Sequence, residues 1–243
     1  MKDDKREITD SNKVIGRGPR NASDYVGRGI SKVTIREFKE AIKDFNKAIE
    51  LDPNHADAYA SRGFAKSAIK DYKEAIADLD KAIELNPERA IAYSSRGFAK
   101  NKIGDYLGAI RNYDIAIELG PGHPDDYLYR GIAKFEIEDY KGAIADLDKA
   151  IELDPNHVDE YLYRGTAKNE IKDYEGAIAD LDKVIELDPK NAGAYYGRGF
   201  AKIQIEDYRG AIADFNRAIE LDPENADYYR KLIKAVKERL NSL

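Results

Sequence analysis

The chain has 243 residues, 42% hydrophobic and 35% charged, with a formal net charge of -6 and no cysteine. That composition suits a highly helical chain, excludes disulfide and thiol chemistry, and gives no long-range attraction for nucleic acid. No apolar run approaches the ~20 residues of a membrane span, and the opening MKDDKREITD lacks a secretory apolar core, so the reading is cytoplasmic.

In chain order, residues 1–21 come first, as a degenerate half-repeat or a polar N-terminal segment. Glu7–Pro19 matches the later AIADLDKVIELDP at Ile8, Asp10, Lys13, Val14, Ile15 and Pro19, but Ser11 and Arg17 replace apolar residues. From residue 22 the chain repeats every 34 residues. Asp125–Pro155 and Asp159–Pro189 differ at only six positions, and prolines recur at 19, 53, 87, 121, 155, 189 and 223. A fixed period of this length marks a repeat architecture. The units run 22–55, 56–89, 90–123, 124–157, 158–191 and 192–225.

Each unit reads as two helices, A over positions 1–14 and B over positions 17–30. Asp71, Asp105, Asp139, Asp173 and Asp207 at position 16 can cap helix B, and the closing Pro stops it. Gly104 loosens one inter-helix turn, and Gly120-Pro121-Gly122 makes the third closing turn the expected hinge. Residues 226–243 hold a capping helix, about Ala226–Leu240, in which Leu232 and Ile233 replace the Arg-Gly of the other units.

With the closing Pro at position 32, Tyr stands at position 4, Gly at 8 and Ala at 20 in all six units, and Ala at 27 in all but one. This pattern resembles the tetratricopeptide repeat. The resemblance implies an all-α, right-handed superhelical solenoid of helix-turn-helix repeats whose A helices line a concave groove for a protein or peptide. The carboxylate clamp of that family is absent, since position 5 is never Lys and position 9 never Asn.

At 100° per residue, positions 3, 4, 7, 8, 10, 11 and 14 share one arc of helix A, including the invariant Ile at position 14. The opposite arc varies between repeats and is rich in apolar side chains, which marks an interaction surface. Its candidates in the first three units are Val26, Ile30, Phe64, Phe98 and Asn101. In the fourth and fifth they are Leu128, Tyr129, Ile132, Phe135, Leu162, Tyr163 and Asn169, and in the sixth Tyr196, Phe200 and Ile203.

Arg28, Arg62, Arg96, Arg130, Arg164 and Arg198 at position 7 fall on the packing arc, where the family often has Leu. Buried charges need partners. Position 23 of helix B supplies Asp44, Asp78, Asp146, Asp180 and Asp214, with Asn112 in the third unit. The expected ladder pairs each Arg with that Asp while the Lys at position 11 extends to solvent. His55, His123 and His157 lie in inter-repeat turns at position 34, too dispersed for a metal site. No phosphate loop, acid–base pair or nucleophile–His arrangement occurs, so neither an enzyme nor a cofactor is expected. The reading is a protein-interaction scaffold, with no nucleic-acid or membrane partner. Its alternative is self-association, in which the terminal half-repeats of two molecules pair head to tail.

Overall fold

The computed structural model describes residues 18–120 and 122–242, and the chain divides into two compact units at Pro121/Gly122. Most of the expected half-repeat at 1–21, and Pro121 of the expected hinge, lie outside the described residues.

In the first unit, α1 (Ala22–Thr34) pairs with α2 (Phe38–Leu51), α3 (Ala56–Ala68) with α4 (Tyr72–Leu85), and α5 (Ala90–Lys102) with α6 (Tyr106–Leu119). In the second, α7 (Pro124–Glu136) pairs with α8 (Tyr140–Leu153), and α9 (Val158–Glu170) with α10 (Tyr174–Leu187). α11 (Ala192–Gln204) then pairs with α12 (Tyr208–Leu221), and α13 (Ala226–Asn241) closes the unit. All described regular structure is helical: these α-helices and one 3-10 turn at Pro223–Asn225.

The core of each pair is small residues facing one large one. Ala41, Ala48, Ala75, Ala82, Ala143 and Ala150 are fully buried. The large residue at position 24 is Phe45, Leu79, Tyr113, Leu147, Leu181 or Phe215, each at most 1% exposed. It lies against the glycine at position 8 of its own pair. A Cβ on Gly199 would stand 2.8 Å from Phe215 Cε1, so the absent side chain is what lets helices A and B close. Burying a Phe or Leu this way contributes roughly 1.5–3 kcal/mol.

Helix A ends the same way in every repeat. The amide of position 15 donates to the carbonyl of position 12, and that of position 16 to position 11, as in Lys70 to Ser67 and Asp71 to Lys66. This closure requires a left-handed residue at position 15. Arg36, Lys70, Glu138, Lys172 and Glu206 adopt φ of 62–67°, and Gly104 adopts 82°. Gly104 therefore occupies the shared turn and does not loosen it.

Helix B starts differently among repeats. The side chains of Asp105, Asp139, Asp173 and Asp207 accept from the amides of Gly108, Gly142, Gly176 and Gly210. Asp71 makes no such bond; Glu74 stands at the position where the others have Gly. A Cβ at that position would collide with the capping carboxylate.

The invariant Ile at position 14 corrects the helical-wheel assignment. Ile35, Ile69, Ile103, Ile137, Ile171 and Ile205 are all exposed. Each is the C-cap of its helix, with φ near -90° and ψ between 5° and 16°, so the 100° progression has ended there.

Candidate functional site

The charges that recur at positions 7, 11 and 23 form joints between helices A and B. Arg28, Arg62, Arg130, Arg164 and Arg198 each grip the Asp sixteen residues later through Nε at 2.8–2.9 Å and Nη2 at 2.5–2.6 Å. Every ladder Arg also lies over the Tyr three residues before it, with Cζ 5.3–5.6 Å from the ring centre. Fork, carboxylate and aromatic face suit guanidinium alone, which explains why Leu is displaced from position 7.

The lysines at position 11 do not extend to solvent. Lys32, Lys66, Lys134, Lys168 and Lys202 place Nζ 2.8–2.9 Å from the second oxygen of the same Asp. Two cations therefore share one buried carboxylate. At Asp44, burial pushes the carboxyl up, but the bonds from Arg28 and Lys32 outweigh it and hold it below the usual range.

A further acceptor was missed in the sequence. Nη1 of Arg62 donates to Asn46, and those of Arg96, Arg164 and Arg198 to Asp80, Asp148 and Asp182, at 2.6–2.8 Å. These residues lie sixteen positions before the Arg, in the preceding repeat. The signal was present, since position 25 is Asp or Asn in every repeat. The third repeat departs: Arg96 Nε donates to Asn112 Oδ1, and Lys100 turns to Asp105 at 3.5 Å.

The variable face of helix A is uneven. Ile30, Phe64 and Phe200 are exposed, at 48%, 48% and 40%. Phe98, Asn101, Tyr129, Ile132, Phe135, Leu162, Tyr163, Tyr196 and Ile203 are half-buried. Val26, Leu128 and Asn169, expected on this face, are buried. Val26 packs with Ala41, Phe45 and Ala48 of helix B and with Ala58 and Ala65 of the next helix A, and Leu128 packs with Leu147, Ala150 and Tyr163 in the same way. Asn169 instead joins repeats, donating from Nδ2 to the Gly197 carbonyl at 3.1 Å.

In the first unit the face holds a cavity of about 180 Å³. Three successive A helices line it: Ile30 and Val33, then Ala60 and Phe64, then Ile91. Arg89 edges it, ion-paired with Asp57, and its Nε is buried with no acceptor among the described residues. Ile91 and Arg89 were absent from the sequence candidates; an Ile at position 2, where other repeats have Ser, Asp or Gly, was the available signal.

In the second unit the face carries aromatic side chains that pack on one another. Phe135 meets Tyr140 and Tyr163 edge-on at 5.4 and 5.8 Å. Tyr196 contacts Tyr228 and Tyr229 at 5.9 Å, and burial followed by the Tyr228 hydroxyl pushes its phenol up to about 12. Tyr196 thus serves the junction with α13. Among the described residues no group of His, Asp and Glu could hold a metal, and no helix is long and apolar enough to cross a membrane.

Family models described as "TPR repeat" match residues 37–69 and 165–205, and models described as "Tetratricopeptide repeat" match 56–89, 192–225 and 99–158. Together they span well over half of the chain, and the chain belongs to the tetratricopeptide repeat family. A comparison with curated proteins returned no significant match. Among solved structures, the chain is similar to YrrB, titled a TPR protein with an unusual peptide-binding site. That match has 26% identity and a TM-score of 0.69, covering 77% of this chain and 97% of the other. A MamA structure is 25% identical with a TM-score of 0.64, covering 71% and 94%. PilF of Pseudomonas aeruginosa shares the fold at 18% identity and a TM-score of 0.74, covering 86% and 96%.

Proposed function

We propose that this protein is a protein-interaction scaffold that holds a peptide segment against its A helices, with the first-unit cavity as the primary contact. The observation that carries this reading is the cavity itself. Ile30, Phe64 and Ile91, from three successive A helices, remain 48–52% exposed around it. Apolar pockets with one directed polar group are the usual form of a recognition site. An apolar side chain of the peptide would fill the cavity, and its backbone carbonyl would take the Arg89 Nε–H. The likeness to a TPR protein with a peptide-binding site supports a peptide as the kind of partner.

Selection from a random peptide library on the immobilised chain tests this. The expected result is recurrent peptides with a large apolar residue, lost with the Phe64→Ala/Ile91→Ala variant at unchanged helicity. Recovery of the same peptides by the variant would place binding elsewhere.

A further inference from the structure

The A-helix face of the second unit differs from that of the first in charge. Positions 2, 5, 6, 9, 12 and 13 of the fourth to sixth repeats contain no Lys or Arg. In the fourth and fifth they contribute Asp125, Glu136, Asp159 and Glu170, all exposed. Glu136, Asp159 and Glu170 have no cationic partner among the described residues, and Asp125 has only the His123 ring at 4.0 Å. The acids of helix B behave otherwise: Glu152, Glu186 and Glu220 each pair with a cation three residues earlier. On the A-helix face of α7 and α9, therefore, the carboxylates stand without a lysine or arginine beside them.

Aromatic surface lies among these carboxylates. Tyr129, Phe135 and Tyr163 are half-buried, and Phe135 and Tyr163 are held edge to face. Burial, then the carboxylates of Asp125, Asp159 and Glu160, push the Tyr129 phenol above its ordinary value. Glu160 sits beneath them, 1% exposed, bonded to the His157 ring at 2.9 Å. Aromatic faces beside carboxylates favour a cation with an aliphatic stem.

We infer that the A-helix face of α7 and α9 docks a basic peptide segment, its Lys or Arg side chains lying over Tyr129 and Tyr163 between the carboxylates of Asp159 and Glu170. The inference rests on the A helices being the binding side, as in the proposed function, but concerns a separate surface and a stated partner chemistry. On α13, Arg230 is already paired with Asp227 and Lys234 lies 3.9 Å from Glu238, so a basic peptide, not a second copy, is the occupant argued for.

The probe is a fluorescein-labelled peptide of about a dozen residues alternating Lys and Ala, with a Glu–Ala peptide as control, read by anisotropy on the full chain. The Lys peptide is expected to bind, more weakly as salt rises, and the Glu peptide not. Asp159→Asn/Glu170→Gln is expected to weaken binding about tenfold, while Phe64→Ala/Ile91→Ala leaves it unchanged. Both acids are exposed and unpaired, so melting of the variant should match the parent. Equal binding of the two peptides, or full binding by the neutralised variant, overturns the inference. If the Lys peptide fails while the first-unit cavity still selects its own peptides, this inference falls and the proposed function stands; if neither binds, both fall. Salt-sensitive self-association in scattering, abolished by the neutralised variant, would assign the face to α13 of a second copy and overturn the peptide reading.

Discussion

Asp182 accepts a 2.6 Å hydrogen bond from Arg198 of the following repeat. The same Arg grips Asp214 of its own repeat, and these bonds raise its pKa further above the ordinary guanidinium value. One side chain thus ties helix A to its own helix B and to the helix B before it. The two acceptors differ in burial: the Asp214 side chain is 5% exposed and that of Asp182 54%.

That difference sets their energies. Asp214→Ala leaves Arg198 and Lys202 without their shared carboxylate, and a cost of about 3–5 kcal/mol is expected in chemical denaturation. Asp182→Ala removes a wetted partner and is expected to cost under about 1 kcal/mol. Equal losses would show that the inter-repeat bond carries as much as the intra-repeat one.

The left-handed residue at position 15 gives a stabilising substitution. A side chain in that conformation costs roughly 1 kcal/mol, which glycine largely avoids. Glu138→Gly and Lys172→Gly should each raise the melting temperature, by up to about 1 kcal/mol in stability. Gly104→Ala should lower it by a similar amount. A fall with Glu138→Gly would mean that the side chain contributes contacts beyond its backbone.

Acid response has two opposite contributions. The Asp44 carboxyl is held below its ordinary 3.8, so its stabilisation is present above that pH and lost as pH falls through the lower folded value. Burial raises Glu160 above its ordinary 4.5, partly offset by His157, so its contribution is greatest below that pH and lost as pH rises through the folded value. Glu160→Gln is therefore expected to stabilise the protein at neutral pH. Thermal melts of parent and variant should converge near pH 4; a variant less stable at pH 7 would contradict the assignment.

Close approach at position 8 predicts an overpacking cost. Gly199→Ala forces a Cβ within 2.8 Å of the Phe215 ring and 3.2 Å of its Cζ, with an expected loss of about 1–3 kcal/mol. Gly18→Ala, with nothing within 4 Å, should be neutral.

The 34-residue period and the helix pairs were legible because every repeat restates them. So was the pairing of position 7 with position 23, since a charge on a packing arc must find an opposite one. The fate of Lys66 was not: the wheel places it centrally but cannot show that Asp78 Oδ2 accepts from it as well as from Arg62 Nε. Asn46 and Asp80 escaped notice because they look like ordinary exposed residues within their own helices, and only the next repeat reveals their use. Ile35 and its equivalents misled because the wheel was carried one residue past the helix end. Val26 and Leu128 were placed by angle alone, whereas burial at position 5 depends on the adjacent helix. Arg89 and Ile91 became candidates only when three A helices were brought together around one cavity.

The sixteen-residue reach of Arg62, Arg96, Arg164 and Arg198, backward and forward, makes the seams they close within each unit the same piece of joinery. Excising residues 56–89 would bring Asn46 sixteen places before Arg96, the spacing it now holds to Arg62. A gene that duplicates or drops one such block within a unit therefore inherits a finished joint, and the length of the array can drift without any interface being invented anew.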